Sequence, residues 1–402
     1  MTQPPASASS TRHTTASTVT LLALASFFSG AALRICDGLL PRLAADFAVT
    51  PGTAGQVVIT FAIAYGVSQL VFGPLGDRYG KARVICAALF ACAAGALACA
   101  YAPGFDALVR LRILWGVAAG GVIPLALAWI GDAVAYEQRQ ATLARLLVGI
   151  LSGMAAGQLG GGLFADSAYG WRGAFLTLCA GYVVIALLLL SRLRGIAAVP
   201  PVPAGGRFAF LAQLASVLAT PWPRVVVGAA LAEGLLLLGP LAYLPAYLHQ
   251  RFGTALSAAS AMIALYAIGG LAYAMVAPHI VRRLGERRMV LVGGWIMGLG
   301  FLAWFATPVA WVAAPVALVV GFGTYLLHNT LQTNATQMAP SMRGTGMALF
   351  AFCLFVGQAL GVWLAGYAFD HGGAATLLLV PALALPLTGW AFARALRRRA
   401  PA

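Results

Sequence analysis

The chain has 402 residues, of which 61% are hydrophobic and 9% are charged, and its formal net charge is +15. A soluble domain carries about 25% charged residues, and a soluble fold of this length could not bury so much apolar surface. The composition therefore excludes a soluble protein and predicts an all-α membrane protein for which the lipid bilayer is the solvent.

The positive charge can be interpreted in two ways. In a soluble protein it would suggest nucleic acid as a partner, but in a membrane protein it marks the loops on the cytoplasmic side. We therefore expect no nucleic-acid partner. The six cysteines lie in or at the ends of apolar runs without a Cys-x-x-Cys pair, so the sequence predicts no metal site.

Apolar runs recur along the chain after a Ser/Thr/Pro-rich segment, residues 1–17, which we expect to be a disordered cytoplasmic tail. Each run is about 19–26 residues long, enough to cross about 30 Å of hydrocarbon. Twelve spans are predicted and numbered in chain order: residues 18–40, 52–75, 84–102, 106–131, 141–164, 172–192, 223–247, 257–281, 288–306, 310–335, 343–368 and 373–394.

A polar linker rich in proline and glycine, residues 193–222, separates the first six spans from the last six. The predicted domains are an N-terminal six-helix bundle (18–192), a C-terminal six-helix bundle (223–394) and a basic cytoplasmic tail (395–402). An offset of 204 residues aligns the two bundles, which indicates a duplicated six-helix unit. The aligned pairs are Pro41 with Pro245, Arg139 with Arg343, Gly153 with Gly357, Gly157 with Gly361, Gly162 with Gly366 and Asp166 with Asp370.

Basic residues are concentrated in alternate loops. If the N-terminus is inside, most of the 25 lysines and arginines fall in segments that face the cytoplasm, as the positive-inside rule requires. Both termini are therefore predicted to be cytoplasmic. The exceptions, which fall in spans or in outer loops, are Arg34, Arg42, Arg110, Arg112, Arg172 and Arg251.

A short polar segment between spans 2 and 3, residues 73–84, concentrates charge in a chain where charge is scarce. Its pattern resembles the loop signature of the major facilitator superfamily, Gly-x-x-x-Asp-Arg-x-Gly-[Arg/Lys]-[Arg/Lys]. Ala82 departs from the signature at one of the basic places. The matching residues are Gly73, Gly76, Asp77, Arg78, Gly80, Lys81 and Arg83.

Two further segments resemble motifs of the same superfamily. Residues 112–116 in span 4, Arg-Ile-Leu-Trp-Gly, resemble its Arg-x-x-x-Gly motif. Residues 153–161 in span 5 resemble the antiporter motif Gly-x-x-x-Gly-Pro-x-x-Gly-Gly, with glutamine in place of the proline. The positions that carry this second resemblance are Gly153, Gly157, Gln158 and Gly161.

The resemblance implies two pseudo-symmetric six-helix bundles that move a small molecule by alternating access, with the substrate near the middle of the membrane. It also implies no cofactor, a proton gradient as the energy source and a place in the bacterial inner (plasma) membrane. Because each chain holds both halves, we expect a monomer.

Asp37 lies in the outer third of span 1, four residues before Pro41, and Arg112 lies at a similar depth in span 4. A charge inside the hydrocarbon costs about 2.5–3.5 kcal/mol, so each one needs a reason. The Asp-x-x-x-Pro spacing resembles that of the span 1 acid of bacterial multidrug/proton antiporters, which implies a carboxylate that binds and releases protons. The alternatives are a permanent pair with Arg34 or Arg112 that fixes helix packing, or a charge at the lipid interface.

Glu233 lies about 15 Å along span 7 from its cytoplasmic start, and no basic residue lies within a turn of it. A carboxyl group there needs water, a proton or a cationic substrate. We interpret Glu233 as a cavity residue that serves as a cation contact or second proton site. The alternative is a protonated acid that is hydrogen-bonded between helices.

Polar and aromatic side chains within the spans are candidates for lining the substrate cavity. His328 and Gln332 share one face of span 10. Such side chains serve as often in hydrogen bonds between helices as in ligand contacts. The candidates are Arg34, Tyr65, Gln69, Trp115, Trp129, His328, Gln332 and Gln358.

The loop residues imply a gate. The resemblance implies that Asp77 caps the start of span 11, near Arg343, where helix N–H groups and a positive dipole end are available. Arg78 or Arg83 is expected to pair with Asp132 at the inner end of span 4, which would close the cytoplasmic side. The alternative is a set of solvated loop charges.

We therefore predict a proton-coupled exporter of small drug-like molecules, with a sugar or other metabolite carrier as the alternative. An ATP-driven pump is disfavoured because Lys81 is the only lysine and no Gly-x-x-x-x-Gly-Lys-[Ser/Thr] loop exists. A membrane-embedded enzyme is disfavoured because the sequence has no His-Glu-x-x-His and no cluster of His and Asp ligands. A receptor without transport activity would not need the loop motif.

Overall fold

The computed structural model describes residues 6–193 and 207–399, which are almost entirely helical. Within those ranges it has 11 helices that are long and apolar enough to cross a membrane. One of them, Leu256–Ala306, has 51 residues and leaves helical geometry at Gly285 (φ 66°, ψ 165°), so it contains two crossings. The predicted total of twelve spans is thereby confirmed.

The spans keep the numbers of the predicted ones. Spans 1 to 6 are Ser17–Arg34, Pro51–Tyr79, Lys81–Ala100, Phe105–Ala133, Tyr136–Ala165 and Gly170–Leu193. Spans 7 to 12 are Pro221–Phe252, the parts of Leu256–Ala306 before and after Gly285, Ala310–Gln337, Pro340–Asp370 and Ala375–Arg399.

The loops distribute charge unequally between the two ends of the molecule. One end, called the basic end, holds the connections from span 2 to 3, 4 to 5, 6 to 7, 8 to 9 and 10 to 11, with most of the arginines. The other end, called the opposite end, holds the remaining connections. Its aspartates are Asp46, Asp106, Asp166 and Asp370.

The sequence predicted a continuous span 1 over residues 18–40, but in the structure this span is interrupted. The helix ends at Arg34, residues 35–39 form turns, and a second helix, Leu40–Phe47, completes the crossing. Pro41 lies in the first turn of that second helix, where a residue without an N–H group is tolerated. The break leaves Asp37 outside regular helix, with a side chain that is fully buried.

Span 7 has a corresponding interruption. Its first helix, Pro221–Glu233, continues as a π-helix at Gly234–Leu238 and a short turn of α-helix at Gly239–Leu241. A further helix, Leu244–Phe252, begins with Pro245 in its first turn. Pro41 and Pro245 are one of the aligned pairs, so the two halves interrupt equivalent spans.

Glycines in spans 5 and 11 allow two pairs of helices to approach closely. A Cβ atom at Gly157 would collide with the carbonyl oxygen of Ala31 in span 1. At the aligned position, a Cβ atom at Gly361 would collide with the carbonyl oxygen of Leu235 in span 7. Both pairs are related by the same offset of 204 residues, so the internal repeat extends to the packing of the helices.

Two predicted segments differ from the structure. Residues 6–17, expected to be disordered, continue the helix of span 1, Ala6–Arg34, because extending an existing helix adds one hydrogen bond per residue without a new nucleation cost. The predicted linker, residues 193–222, contains a helix at Arg207–Ala219, whose apolar run the proline-rich part of the linker obscured. Residues 1–5 and 194–206 lie outside the described part of the chain.

Candidate functional site

Arg34 and Asp37 form a buried ion pair at the break in span 1. Their Nη1 and Oδ2 atoms are 3.0 Å apart, and the two side chains are 4% and 0% exposed. The guanidinium also lies 5.9 Å from the centre of the Tyr266 ring in span 8, which belongs to the other bundle. The pair therefore lies where the two halves meet, and each charge offsets part of the desolvation cost of the other.

Arg112 does not pair with Asp37. Its Nε donates a hydrogen bond of 3.0 Å to the carbonyl oxygen of Val57, and its guanidinium lies 4.0 Å from the ring centre of Phe61 and 4.8 Å from that of Trp115. Among the described residues no carboxylate lies within ion-pair distance of it. Of the two partners considered for Asp37, the structure selects Arg34, because one turn of span 1 brings the two side chains together.

Glu233 has the basic partner that its own span lacks. His328 in span 10 places its Nδ1 atom 3.0 Å and 3.1 Å from the two carboxylate oxygens of Glu233. Glu233 is 2% exposed and His328 is 20% exposed, so the histidine is the less buried member of the pair. The π-helix begins directly after Glu233, and such single-turn bulges are frequent at functional sites.

The sequence identified Glu233 and His328 separately but did not pair them. Nothing in the spacing of two residues on different spans indicates that they touch. The π-helix begins only after Glu233, so it does not explain the contact. A hypothesis that every buried acid needs a cationic partner, searched across all spans, would have named His328.

The predicted cavity residues differ in what they contact. Tyr65 reaches the other bundle, since its ring centre is 4.5 Å from that of Phe355 in span 11. Trp115 is fully buried in the N-terminal bundle, packed edge-on against Phe61 and Phe175. The remaining candidates are partly buried or buried, and within the described ranges none of them has a hydrogen bond to either charged pair: Gln69, Trp129, Gln332 and Gln358.

Gln158, which replaces the motif proline in span 5, is 3% exposed. Neither its Oε1 nor its Nε2 has a hydrogen-bond partner among the described residues. Buried amides are normally satisfied, so this side chain is available to a polar group that enters the membrane interior. The adjacent glycines 153, 157 and 161 act instead in the close packing of span 5 on span 1.

The loop at the basic end is organised by Lys81. Its Nζ donates to Oδ1 of Asp77 at 2.8 Å and to Oδ2 of Asp132 at 2.7 Å. The predicted pairing of Asp132 with Arg78 or Arg83 is therefore wrong, because Gly80 (φ 89°) turns the chain so that Lys81 begins span 3 between both carboxylates. Arg78 instead lies 5.2 Å from the ring centre of Tyr79.

The predicted contact of Asp77 with span 11 is not made in this conformation. Among the described residues, Lys81 is the hydrogen-bonded partner of Asp77. The α-helix of span 11 does begin at Arg343, as expected. Two loop glycines have different surroundings. A Cβ atom at Gly76 would collide with Leu125 of span 4, whereas one at Gly73 would meet nothing within 4 Å. A side chain at position 76 would therefore require the Leu125 side chain to move, whereas one at position 73 would not.

Comparisons with known proteins agree with this architecture. A sequence model described as Major Facilitator Superfamily matches residues 22–362. The chain is 23% identical over 356 residues to the uncharacterized MFS-type transporter YceJ of Bacillus subtilis, covering 87% of this chain and 89% of that protein. It is 27% identical over 151 residues to the multidrug export protein EmrB of Haemophilus influenzae, covering 37% of this chain and 30% of EmrB.

A solved structure shows the same fold. A POT family transporter in complex with 5-aminolevulinic acid superposes with a TM-score of 0.75, covering 93% of this chain and 95% of that chain at 12% identity. The family model covers well over half of the chain, and the relatives and the structural neighbour are transporters. The chain therefore belongs to the Major Facilitator Superfamily and is a membrane transporter rather than an enzyme.

Proposed function

We propose that this transporter is a proton-coupled exporter of small organic molecules, and that Glu233 with His328 is its coupling site. The supporting observation is the contact of a 2% exposed carboxylate with a histidine of another span, directly at a π-helix. A buried carboxylate requires a counter-charge or a proton, and a histidine is the side chain best suited to supply either near neutral pH.

The pair explains how cargo and proton can exclude one another. A cationic group that approaches from the accessible side meets His328 first and competes with it for the Glu233 carboxylate. Once the cargo is bound, His328 has no need to stay protonated and gives its proton to water. When the cargo leaves on the far side, a proton returns to the pair, because an uncompensated buried charge is costly.

The Arg34–Asp37 pair is a second polar point between the bundles. Tyr266 of span 8, in the other bundle, lies 5.9 Å from the Arg34 guanidinium. Asp37 is therefore a candidate second proton carrier, whose alternative role is to hold Arg34 in place. Gln158 and its unsatisfied amide offer a hydrogen-bonding group for the cargo.

Orientation and energy supply follow from charge. The basic end is proposed to face the cytoplasm and the opposite end the outside of a bacterial plasma membrane, because positive residues are retained on the inner side. Both termini would then be cytoplasmic. The proton gradient would supply the energy without ATP, and the chain would act as a monomer with its site between its own two halves.

Export is favoured by the similarity of one part of the chain to a multidrug export protein. A second candidate is a carrier of small metabolites, in particular organic acids. It is favoured by Arg34, which lies against the other bundle, since a cargo carboxylate could compete with Asp37 for its guanidinium.

The test uses purified protein in liposomes that contain an internal pH dye, with an imposed pH gradient and a panel of lipophilic cations, organic acids and sugars. Proton movement triggered only by cations, and lost in Glu233→Gln, would support the proposed exporter. Proton movement triggered by organic acids that persists in Glu233→Gln would favour the second candidate. Cargo movement without any proton signal would refute proton coupling.

A further inference from the structure

Two aspartates at the opposite end bind helix starts in the other bundle. Asp166 follows span 5 and accepts hydrogen bonds from the backbone N–H groups of Leu256 (3.3 Å) and Ser257 (2.7 Å) at the start of span 8. Asp370 ends span 11 and accepts hydrogen bonds from the N–H of Gly52 (2.8 Å) and the hydroxyl of Thr50 (2.5 Å) at the start of span 2. Each carboxylate thus crosses the boundary between the halves.

The two contacts are copies of one another. The acceptors Asp166 and Asp370 are an aligned pair, and the same offset of 204 residues relates the donors Gly52 and Leu256. The N-terminal bundle thus provides one carboxylate and one helix start, and so does the C-terminal bundle. The repeat has therefore conserved a reciprocal arrangement within this chain rather than a single contact.

A glycine one helical turn before each aspartate brings the helices close enough for these bonds. A Cβ atom at Gly162 would collide with the carbonyl oxygen of Leu256, and one at Gly366 would come within 3.0 Å of Cα of Gly52. Gly162 and Gly366 are also an aligned pair. The two segments Gly-x-x-x-Asp, residues 162–166 and 366–370, are called the clasps.

The aspartates are unfavourable for their own helices. Asp166 is the C-terminal cap of span 5 and Asp370 is the last residue of span 11, where the helix dipole repels negative charge. They are favourable for the helices across the boundary, whose first N–H groups and positive dipole end attract a carboxylate. Their placement therefore makes physical sense only through the contact between the halves.

The ionisation of Asp166 agrees with this arrangement. Burial opposes the charged form, but hydrogen bonds from Ser257 and Leu256, with His249 nearby, outweigh it and lower the pKa of Asp166 below its usual value.

Tyr243 of span 7 adds a further bond across the boundary, since its hydroxyl donates to the carbonyl oxygen of Gly52 at 3.3 Å.

We propose that the two clasps hold the opposite end closed and set the equilibrium between the two accessibility states, with Asp166 and Asp370 as positioning residues. The bonds exist only while spans 5 and 8 and spans 2 and 11 touch at this end, and they must break each time that end opens. This role depends on alternating access alone. It does not depend on the cargo or on protons as the coupling ion.

The test measures which end is open in full-length protein in lipid nanodiscs, without cargo and without a gradient. Spin labels are placed at Tyr101 and Trp311, which are 71% and 68% exposed at the opposite end of the N- and C-terminal bundles. The variants are Asp166→Ala, Asp370→Ala and the double substitution. The control is Asp106→Ala. Asp106 is an exposed acid at the same end, and among the described residues it forms no bond across the boundary.

Each single substitution should raise the ratio of open to closed molecules about three- to tenfold, because charge-assisted hydrogen bonds are lost at a partly exposed site. The double substitution should raise the ratio further, and Asp106→Ala should leave it unchanged. A double variant with the distance distribution of the unmodified chain would overturn the proposal.

Two further substitutions test the clasps without removing a carboxylate. Thr50→Val deletes the hydroxyl that donates to Asp370 at nearly constant volume, and Gly162→Ala forces spans 5 and 8 apart. Both should shift the label distances toward the open state. If neither does, although both proteins fold, the contacts are incidental to the closure and the proposal is wrong.

Discussion

Ser29 and Glu233 occupy equivalent positions in the two halves. They are related by the same offset of 204 residues as the glycine contacts on either side of them. Ser29 is fully buried, and its hydroxyl donates to the carbonyl oxygen of Ala119 at 3.4 Å, whereas Glu233 meets His328. The two halves therefore pack equivalently at this position, but only the C-terminal half carries an acidic side chain there.

Glu233→Gln should uncouple the transporter. The amide keeps the shape of the side chain but cannot exchange a proton or attract a cation, so the loss of a charge-assisted contact should reduce cation-triggered proton movement about tenfold or more. The measurement is the liposome assay with the internal pH dye. Exchange of a cationic cargo between equal concentrations on the two sides should weaken as well, because the proposed cargo contact is the same carboxylate.

The repeat offers a matched control for this prediction. Ser29→Ala removes a buried polar group at the equivalent place in the other bundle, and it should leave the proton signal unchanged. If Ser29→Ala and Glu233→Gln impair coupling equally, the effect comes from helix packing and Glu233 is not the coupling residue.

The Arg34–Asp37 pair should behave as a buried ion pair in which one charge alone is worse than none. Arg34→Gln leaves the Asp37 carboxylate without its 3.0 Å partner and should lower the free energy of unfolding by about 3–5 kcal/mol. The double variant Arg34→Gln/Asp37→Asn should recover most of that loss. Thermal unfolding in detergent across the four proteins of this cycle measures the coupling between the two residues.

The same cycle separates the two roles of Asp37. If Asp37→Asn alone retains proton coupling while the cycle shows strong interaction, the pair is a packing device. If Asp37→Asn folds normally and loses coupling, Asp37 carries protons as the resemblance implied. Additive effects in the cycle would contradict a functional or structural pairing of the two side chains.

The sequence was sufficient for the features that are periodic along the chain. Span length follows from the thickness of the hydrocarbon, and the glycine pattern of Gly153 and Gly157 repeats at Gly357 and Gly361, so the number of spans and the duplication could be read directly. The loop signature was equally local. Of its charged residues, Lys81 and Asp77 form an ion pair in the structure.

The sequence was insufficient where residues of different spans meet. Lys81 rather than Arg78 or Arg83 reaches Asp132, because the turn at Gly80 decides which side chain points toward span 4. The break after Arg34 was hidden, since residues 35–39 are as apolar as a helix would be apart from Asp37. Both outcomes depend on backbone geometry that hydrophobic periodicity does not encode.

The close contacts of span 5 make a specific stability prediction. Gly157→Ala places a methyl group against the carbonyl oxygen of Ala31, and because backbone cannot move aside, the free energy of unfolding should fall by about 1–3 kcal/mol. Gly73→Ala is the control, since a Cβ atom there meets nothing within 4 Å and alanine favours helix over glycine. Melting temperatures of both variants in the same detergent would test the contrast, and equal values would contradict it.

The clasp formed by Asp166 should be insensitive to pH over the physiological range. Its pKa in the closed state lies below the ordinary value of about 3.9, so its stabilisation of that state is fully present above the ordinary pKa and is lost only as pH falls through the lowered one. The charged groups near it are His249 of span 7 and Arg42, whose Nη1 donates to the carbonyl oxygens of Ala165 and Ser167. Neither removes the negative charge of Asp166.

The measurement compares the unmodified chain with Asp166→Ala by the distance between labels at Tyr101 and Trp311, from about pH 8 to about pH 5. The difference between the two proteins in the open-to-closed ratio should not shrink as the pH falls over this range. The series is repeated in His249→Gln, which removes the imidazole beside the carboxylate. A difference that disappears near pH 6 in both backgrounds would mean that a group other than the Asp166 carboxylate closes this end.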